Sequence, residues 1–405
     1  KMKLTTKLTT LMLSILFIVP IFPYIYLFGY PLNLWIFLVS AWSLILIYII
    51  VKGSHVSFNL LLVIFIIFIY IILAFRYYDK GIISPLELLK SAILMITNFA
   101  LILILYERTY LPAPYYLRLH TTILIISSLL VIIQLCGSLG GLNLVLPWQT
   151  ANLLSSDIWR ARPPGIFGEP AHMGEYAFFC LLYPRGFFYK IRNRLYLLIL
   201  SLLMTFSIFC YIAALLIFLR LVMLTIINYN KTNILRLILV LLMSLVILFG
   251  ISNVFQFERI THVGGAQDQS TSERIYFGYL VFKNANFGDK LFGLGPGDIP
   301  QITQHLYNDA YQYQHIISRG FQSGLFIEML SYGLIFFIAY KLITLHFFGL
   351  KGFILLTLIQ IGSGITINNP VLGVYALFII SFCRYDKMTS TNKSNKFTKK
   401  IDYAY

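Results

Sequence analysis

Charged side chains are scarce in this sequence: only 11% of its 405 residues are Asp, Glu, Lys or Arg. With 59% hydrophobic residues and a mean hydropathy of +0.81, a water-soluble globular protein is excluded. Intrinsic disorder is excluded too, because it requires low hydrophobicity and few aromatic residues. The apolar runs are long and continuous rather than alternating, which argues against a membrane β-barrel.

Cysteines and metal-binding motifs are also few. The four cysteines lie in or at the edge of apolar segments without disulfide or metal-ligand spacing, and we interpret them as small core residues: Cys136, Cys180, Cys210 and Cys383. No D-x-D, HExxH or His/Cys cluster occurs. The sequence therefore gives no support for a catalytic metal, and we expect no cofactor.

Long apolar runs predict an all-α, polytopic integral membrane protein. At roughly 20 residues for each crossing, about twelve transmembrane helices fit, with two long extracytoplasmic loops. The predicted order is helices one to five in 1–138, an outer loop in 139–172, helices six to nine in 173–252, a large outer loop in 253–320, helices ten to twelve in 321–383 and a basic cytoplasmic tail in 384–405.

The distribution of basic residues sets the predicted orientation. Basic residues outnumber acidic ones by 31 to 15, and most lie in short loops and in the tail, which the positive-inside rule assigns to the cytoplasm. This topology explains the charge without nucleic acid, which is not an expected partner. We place His55, His120 and His346 in cytoplasmic loops, where they form no pattern.

Three charged residues fall inside predicted spans: Glu175, Arg220 and Glu328. A charge at mid-bilayer costs about 2.5–3.5 kcal/mol, so each is a functional candidate by default. Glu175 and Glu328 come close to the predicted outer boundary, and an interfacial position is the alternative for both. Arg220 is expected near the cytoplasmic end of its helix.

The first outer loop ends in WRARPPGIFGEPAHMGEY. Gly165 permits a tight turn or the close approach of a ligand. Glu169 is pushed toward an extended conformation by the proline that follows it, and Pro170 suits the first position of a helix.

The chemistry of the same stretch fits an anion. The positive end of the new helix would point outward beside Arg160, Arg162 and His172, which together make an anion site at the membrane surface. Glu169 could take a proton from an incoming hydroxyl. A re-entrant structural loop with an Arg162–Glu169 salt bridge is an equally open interpretation.

The second outer loop contains STSERIYFGYLVFKN and then LFGLGPG. Ser270 to Glu273 has the spacing of a capping box, which predicts a helix to about Asn284. Arg274 lies in the first turn of that helix, where a cation is unfavourable unless an anion is near. Arg259 and Arg319 lie close to the predicted membrane edge, where snorkelling to headgroups is the alternative role. The GLGPG glycines lack the P-loop lysine and predict a turn.

In this order, these motifs resemble the O-antigen polymerase and ligase superfamily, most of all the Wzy-type polymerases of bacterial surface polysaccharides. The resemblance covers roughly 155–340 and the twelve-span plan. The family pattern R-x-x-G-x-x-x-E-P matches Arg162, Gly165, Glu169 and Pro170. Its Ser-x-x-Arg-like loop element matches Ser270 to Arg274, and its G-x-G-x-G turn matches Gly293, Gly295 and Gly297.

Two departures from the family pattern matter. Many members, the ligases especially, carry His-Asn eleven residues before a glycine that corresponds to Gly333, whereas this chain has Gln322 and Ser323 there. The family arginine after T-x-S is also missing, since Ile208 follows Ser207. The first departure lowers the ligase interpretation.

The resemblance implies a GT-C-like membrane glycosyltransferase of the bacterial inner (plasma) membrane, with its active site facing the periplasm or the cell exterior. It would polymerise undecaprenyl-diphosphate-linked repeat units into O-antigen or capsule-type polysaccharide without a metal. The implied partners are undecaprenyl-diphosphate-linked glycans and membrane lipids, together with a chain-length regulator and a flippase.

The residues above can be assigned to that reaction. Glu169 is the favoured general base and His315 its rival, while the five loop arginines would bind the diphosphate: Arg160, Arg162, Arg259, Arg274 and Arg319. His172 and Gln322 are the candidates for contact with the acceptor glycan. The alternatives are an O-antigen ligase, which differs in its acceptor, and a lipid-linked oligosaccharide flippase, which should instead concentrate its charges within the spans.

Overall fold

The computed structural model describes residues 2–21, 26–27, 30–52, 58–79, 84–107, 113–149, 162–205, 207–227, 238, 277–296 and 323–392. These ranges are mostly helical. The α-helices are α1 (Met2–Leu16), α2 (Leu32–Lys52), α3 (Phe58–Asp79), α4 (Pro85–Glu107), α5 (Ala113–Leu139), α6 (Pro170–Phe178), α7 (Arg185–Lys190), α8 (Arg192–Met204), α9 (Ile208–Ile227), α10 (Phe277–Asn284), α11 (Phe287–Phe292), α12 (Gly324–Gly362) and α13 (Pro370–Asn392).

Short elements complete this part of the chain. Val19–Ile21 and Phe179–Leu182 are 3₁₀ turns. The strands β1 (Tyr26–Leu27) and β2 (Tyr30–Pro31) pair antiparallel, with Leu27 opposite Tyr30.

Helices α4 and α5 are long and apolar enough to cross a membrane, and α12 meets the same criteria by its total length and composition, although two breaks at glycines divide it. Shorter apolar stretches lie within α2, α3, α9 and α13 and at the start of the chain. Large apolar side chains also point outward, for example Phe75 of α3 at 71% exposure. Contiguous exposed apolar surface is rare in water and typical of contact with lipid. These apolar helices agree with the membrane protein that the composition predicts.

Two of the predicted spans of unit 2 are short in the structure. The span predicted near residue 180 consists of the nine residues of α6 and the four-residue turn after it, and α8 has thirteen residues. Each is only about 20 Å long, whereas the hydrocarbon core is about 30 Å thick. The span predicted near residue 244 lies outside the described residues.

The chain divides into two compact units. Unit 1 comprises residues 1–16, 36–109 and 257–377, and unit 2 comprises residues 17–35, 110–256 and 378–405.

Helix α12 of unit 1 is broken twice. Gly333 (φ 74°, ψ 169°) and Gly349 (φ 66°, ψ 173°) leave the helical conformation, and both adopt a backbone geometry that favours glycine. The breaks let the chain fold back on itself. In an unbroken helix Glu328 and Lys341 would be about 20 Å apart along the axis, yet their charged groups approach to 3.4 Å.

A buried charged cluster holds the parts of α12 together. Glu328 is 1% exposed, and one of its carboxylate oxygens accepts a hydrogen bond from Gln360 Nε2 at 2.9 Å. The other lies 3.4 Å from Lys341 Nζ, which also donates to Gln360 Oε1. Glu328 is thus buried among the parts of α12.

The turn after α11 packs against the first break of α12, and we call this contact between Gly293 and Gly333 the clasp. Gly295 N–H donates to Ser331 O at 2.8 Å. Gly293 and Gly333 face each other so closely that a Cβ on Gly293 would lie 2.6 Å from Gly333 N, and one on Gly333 would lie 2.4 Å from Gly293 N. The predicted GLGPG turn is confirmed at Gly293 and Gly295, which have φ of 78° and 103°.

A non-helical segment of unit 1, residues 363–369, joins α12 to α13. The fully buried Asn98 of α4 donates through Nδ2 to Ile367 O at 2.7 Å and to Asn369 O at 3.1 Å. Irregular backbone among apolar helices requires such internal partners, and here an amide side chain supplies them.

In unit 2, α5 and α8 run parallel. Ser201 Oγ of α8 donates to Ser128 Oγ of α5 at 2.8 Å, and nearer the starts of the two helices Thr121 and Arg194 line the same cleft. The two helices therefore begin at the same end of unit 2.

His120 lies within α5 and is completely buried. Its Nε2 is 3.0 Å from Tyr176 O and its Nδ1 is 2.5 Å from Tyr183 OH. Since a carbonyl only accepts, Nε2 carries the proton and Nδ1 accepts from the tyrosine. The prediction that His120 lies in a loop is wrong, because a histidine with both nitrogens bonded is accommodated inside an apolar helix.

Removing one charge from the α12 cluster should destabilise the protein. Glu328→Gln or Lys341→Met each leaves a buried partner charge, at a cost of about 3–5 kcal/mol. The double variant should lose much less than the sum, because no charge is left unpaired. Thermal unfolding in detergent measures this, with Lys283→Met, at an exposed lysine of α10, as the control. Additive losses would show that the two groups are not coupled.

Candidate functional site

The segment before α6 folds as its prolines and glycines predict. Glu169 is extended (φ −137°, ψ 154°) and is the N-cap of α6, and Pro170 takes the first helical position. Gly165 has φ of 67°, and a Cβ there would lie 2.1 Å from Ser127 Oγ of α5. The predicted helix start and the predicted tight turn at Gly165 are confirmed.

Two amide side chains fix this turn to the rest of unit 2. Gln134 of α5 accepts from Gly165 N–H at 2.9 Å, and Gln149 Nε2 donates to Gly165 O at 2.5 Å. Trp148 Nε1 donates to Ile166 O at 2.8 Å. Sequence reasoning missed these residues, although a glutamine inside an apolar span is itself a signal that a polar partner is near.

Helices α6 and α9 lie side by side and point the same way. At their starts, Cys210 Sγ donates to Pro170 O at 3.0 Å. Toward the other end, Arg220 NH1 of α9 donates to Cys180 O at 2.8 Å. Both positive helix ends therefore lie together, at the end of unit 2 where the chain enters α6, which we call the Arg162 end.

Arg162 is half-buried at this end. Its charge acts on Cys210 and Tyr211 in the first turn of α9, so the guanidinium lies close to the start of that helix as well as in the segment leading to α6. Two parallel helix starts and a guanidinium together produce a positive potential that attracts anions.

An acid lies one turn into α6. Glu175 is 1% exposed, and one of its carboxylate oxygens is 3.5 Å from His172 Nδ1, whose side chain is 31% exposed. The Arg162 end thus combines Arg162, Glu169, His172 and Glu175.

Arg220, the charge inside α9, serves the backbone. It donates to Cys180 O and to Tyr183 O, where the 3₁₀ turn ends, and its guanidinium lies 4.3 Å from the centre of the Phe188 ring. These contacts explain how a cation is accommodated in an apolar helix.

The other predicted site residues cannot be compared with these. The diphosphate and base candidates Arg160, Arg259, Arg274, His315 and Arg319, the acceptor candidate Gln322 and the capping box at 270–273 lie outside the described residues. The predicted end of the following helix at Asn284 is confirmed by α10.

Two of the four cysteines are core residues as predicted. Cys180 and Cys210 are buried, whereas Cys136 is exposed and Cys383 is partly exposed. Within the described ranges, no three His, Cys, Asp or Glu side chains come together as a metal site would require.

Comparison of the chain with protein-family models, with curated proteins and with solved structures gave no match. Any functional conclusion therefore depends on the chemistry of the site and on the motif resemblance.

Gly165→Ala should destabilise unit 2 more than Gly141→Ala does. Both glycines have positive φ, of 67° and 75°, so both variants carry the same backbone strain. Only at Gly165 does the added methyl group meet Ser127, including its carbonyl oxygen at 2.8 Å, whereas nothing lies within 4 Å at Gly141. Overpacking of this kind costs about 1–3 kcal/mol.

Thermal unfolding of the two variants in detergent measures the difference. Adding Ser127→Ala to Gly165→Ala should restore only part of the loss, because the carbonyl contact remains. Equal melting temperatures for the two glycine variants would show that Gly165 is not held against α5.

Proposed function

We propose that this chain is a membrane glycosyltransferase that polymerises undecaprenyl-diphosphate-linked oligosaccharide repeats into O-antigen or capsule-type polysaccharide. The growing glycan would pass from its lipid diphosphate to a hydroxyl of the next lipid-linked repeat. The proposal includes twelve spans, the bacterial inner membrane and an outward-facing site, as the motif resemblance implies.

The observation that carries this proposal is the Arg162 end of unit 2. The leaving group of the reaction is a lipid diphosphate, whose charge grows as the glycosidic bond breaks. Groups that are fixed in advance toward developing charge stabilise a transition state most effectively. Arg162 and the adjoining starts of α6 and α9 offer such groups from the protein alone.

Position 208, where this chain departs from the family pattern, lies at the same end of unit 2. The resembling family has an arginine there, and in this chain Ile208 is the first residue of α9. The family arginine would therefore stand at the Arg162 end. Because this chain lacks that arginine, Arg162 supplies the guanidinium at this end among the described residues. The further proposed diphosphate ligands are Arg160, Arg259, Arg274 and Arg319.

Glu169 is the proposed general base. It is held at the start of α6 by Pro170 and by the pinned Gly165 turn, and it does not cap the helix with its side chain. This restraint orients the carboxylate toward an acceptor hydroxyl, as proton transfer requires. His172, with Glu175 behind it, and Gln322 are the proposed contacts to the acceptor glycan, and His315 is the rival base.

Deleting the gene should leave cells with glycans of a single repeat unit. Loss of polymerisation predicts such products, which electrophoresis and mass spectrometry of surface and lipid-linked glycans detect. Free lipid-linked long chains would instead indicate a ligase, and intermediates confined to the cytoplasmic leaflet would indicate a flippase. Either result would overturn the proposal.

Two variants at the Arg162 end should abolish or strongly reduce polymer formation. Arg162→Ala removes a charge-assisted contact, with an expected loss of about 10- to 150-fold in rate, and Arg162→Lys should rescue only partly because it cannot bind two oxygens in one plane. Glu169→Gln should reduce the rate by about 10²–10⁴-fold. Assays use purified protein with lipid-linked repeats, and Lys283→Ala is the control.

The same assay distinguishes the bases. If Glu169→Gln still makes polymer and His315→Ala does not, the histidine is the base. Near-normal synthesis by Arg162→Ala at normal abundance would show that this arginine does not bind the diphosphate.

A further inference from the structure

The opposite end of unit 2 is rich in exposed cations. The side chains of four of them are exposed and form no hydrogen bond or ion pair with any residue that the structure describes: Arg118, Arg185, Lys190 and Arg194. No Asp or Glu occurs in α5 or between Tyr176 and Ile227, so α5, α7, α8 and α9 supply no counter-charge. We call this region the basic end.

Helix contacts bring these cations to one end. Since α5 and α8 run parallel, Arg118 near the start of α5 and Arg194 in the first turn of α8 lie on the same side of the bundle. Arg185 begins α7, which leads directly into α8. Arg185 and Arg194 lie in the first turns of α7 and α8, where a cation is repelled by the helix dipole. A bound anion would relieve this repulsion.

An apolar cleft opens beside these cations. It is a shallow groove between α5 and α8 that is open to the surroundings on one side. Its wall is formed by Leu124 and Ile125 of α5 and by Leu195 and Leu198 of α8, and Arg194 belongs to the same lining. An apolar wall with a guanidinium at its edge matches a ligand that is itself part hydrocarbon and part anion.

We propose that this cleft binds an anionic phospholipid, with part of an acyl chain against α5 and α8 and the phosphate at Arg194. The cations attract the negative headgroup, and each basic group near such a surface adds to its affinity. A free phosphate ion would use the charge but not the apolar wall. A neutral phospholipid would use the wall but not the surplus of cations. The proposal is independent of the glycosyl transfer proposed for the Arg162 end.

Native mass spectrometry of the purified full-length chain, titrated with phosphatidylglycerol or phosphatidylcholine, tests this. Phosphatidylglycerol should bind more tightly. Arg194→Gln should weaken its binding about fivefold, while Lys283→Gln, which removes the same charge from an exposed site in unit 1, should not.

A matched pair of variants probes the cleft itself. Ile125→Trp would fill the cleft, whereas Ile126→Trp enlarges the next residue, which is 47% exposed and points away from it. Only the first should reduce phosphatidylglycerol binding. Unchanged melting temperatures for both variants would exclude misfolding as the cause, and Arg194→Gln provides the same test without added bulk.

Several results would overturn the proposal. Equal binding of the two phospholipids, or equal effects of Arg194→Gln and Lys283→Gln, would show that the cations only set topology. Full competition by inorganic phosphate would assign the site to a free anion. Tighter binding of undecaprenyl diphosphate than of phosphatidylglycerol, lost in Ile125→Trp, would make the cleft a substrate site instead.

Discussion

A backbone group that leaves a helix among apolar segments must find its partner within the protein, because no water is there to supply one. Long polar side chains meet this requirement throughout the described structure. Gln134 and Gln149 bond the turn at Gly165, and Asn98 bonds the segment between α12 and α13. Both of these irregular stretches are therefore fixed to a neighbouring helix, and the candidate site residues that follow the turn at Gly165 are positioned by it.

The two ends of unit 2 differ in chemistry because of how its helices are directed. α6 and α9 start at one end, whereas α5 and α8 start at the other. At the Arg162 end the acids Glu169 and Glu175 accompany the positive helix starts, so a proton acceptor lies next to an anion site. The basic end has no acid from α5, α7, α8 or α9, so it can attract anions but offers no base from these helices. A reaction that needs both groups fits the first end, and a purely structural lipid fits the second.

Local features of the sequence were predictable, and contacts between helices were not. The extended Glu169, the helix start at Pro170 and the tight turn at Gly165 follow from the restricted backbone of proline and the permissive backbone of glycine. The pairing of α6 with α9 does not, because helices that are apolar all round have no polar face to reveal which side meets a neighbour.

The same limit explains the residues that sequence reasoning misplaced. His120 seemed to belong to a loop because a buried histidine depends on partners from a distant segment, Tyr176 and Tyr183. The break of α12 at Gly333 escaped notice because glycine is also common in unbroken membrane helices. The hydropathy of the sequence predicts about twelve full-length crossings. It does not reveal that α8 and the α6 segment are shorter than the bilayer is thick.

The clasp between Gly293 and Gly333 has a consequence for how this sequence can change. Each glycine occupies the space that a side chain on the other would need, and the nearest atoms are backbone atoms on both sides. No second substitution can make room, since backbone cannot be trimmed as a side chain can. The two positions lie forty residues apart in the chain, and both must be glycine for this contact to form. A descendant of this sequence that replaces one of the two glycines would lose this contact, and with it the path by which the chain leaves α11.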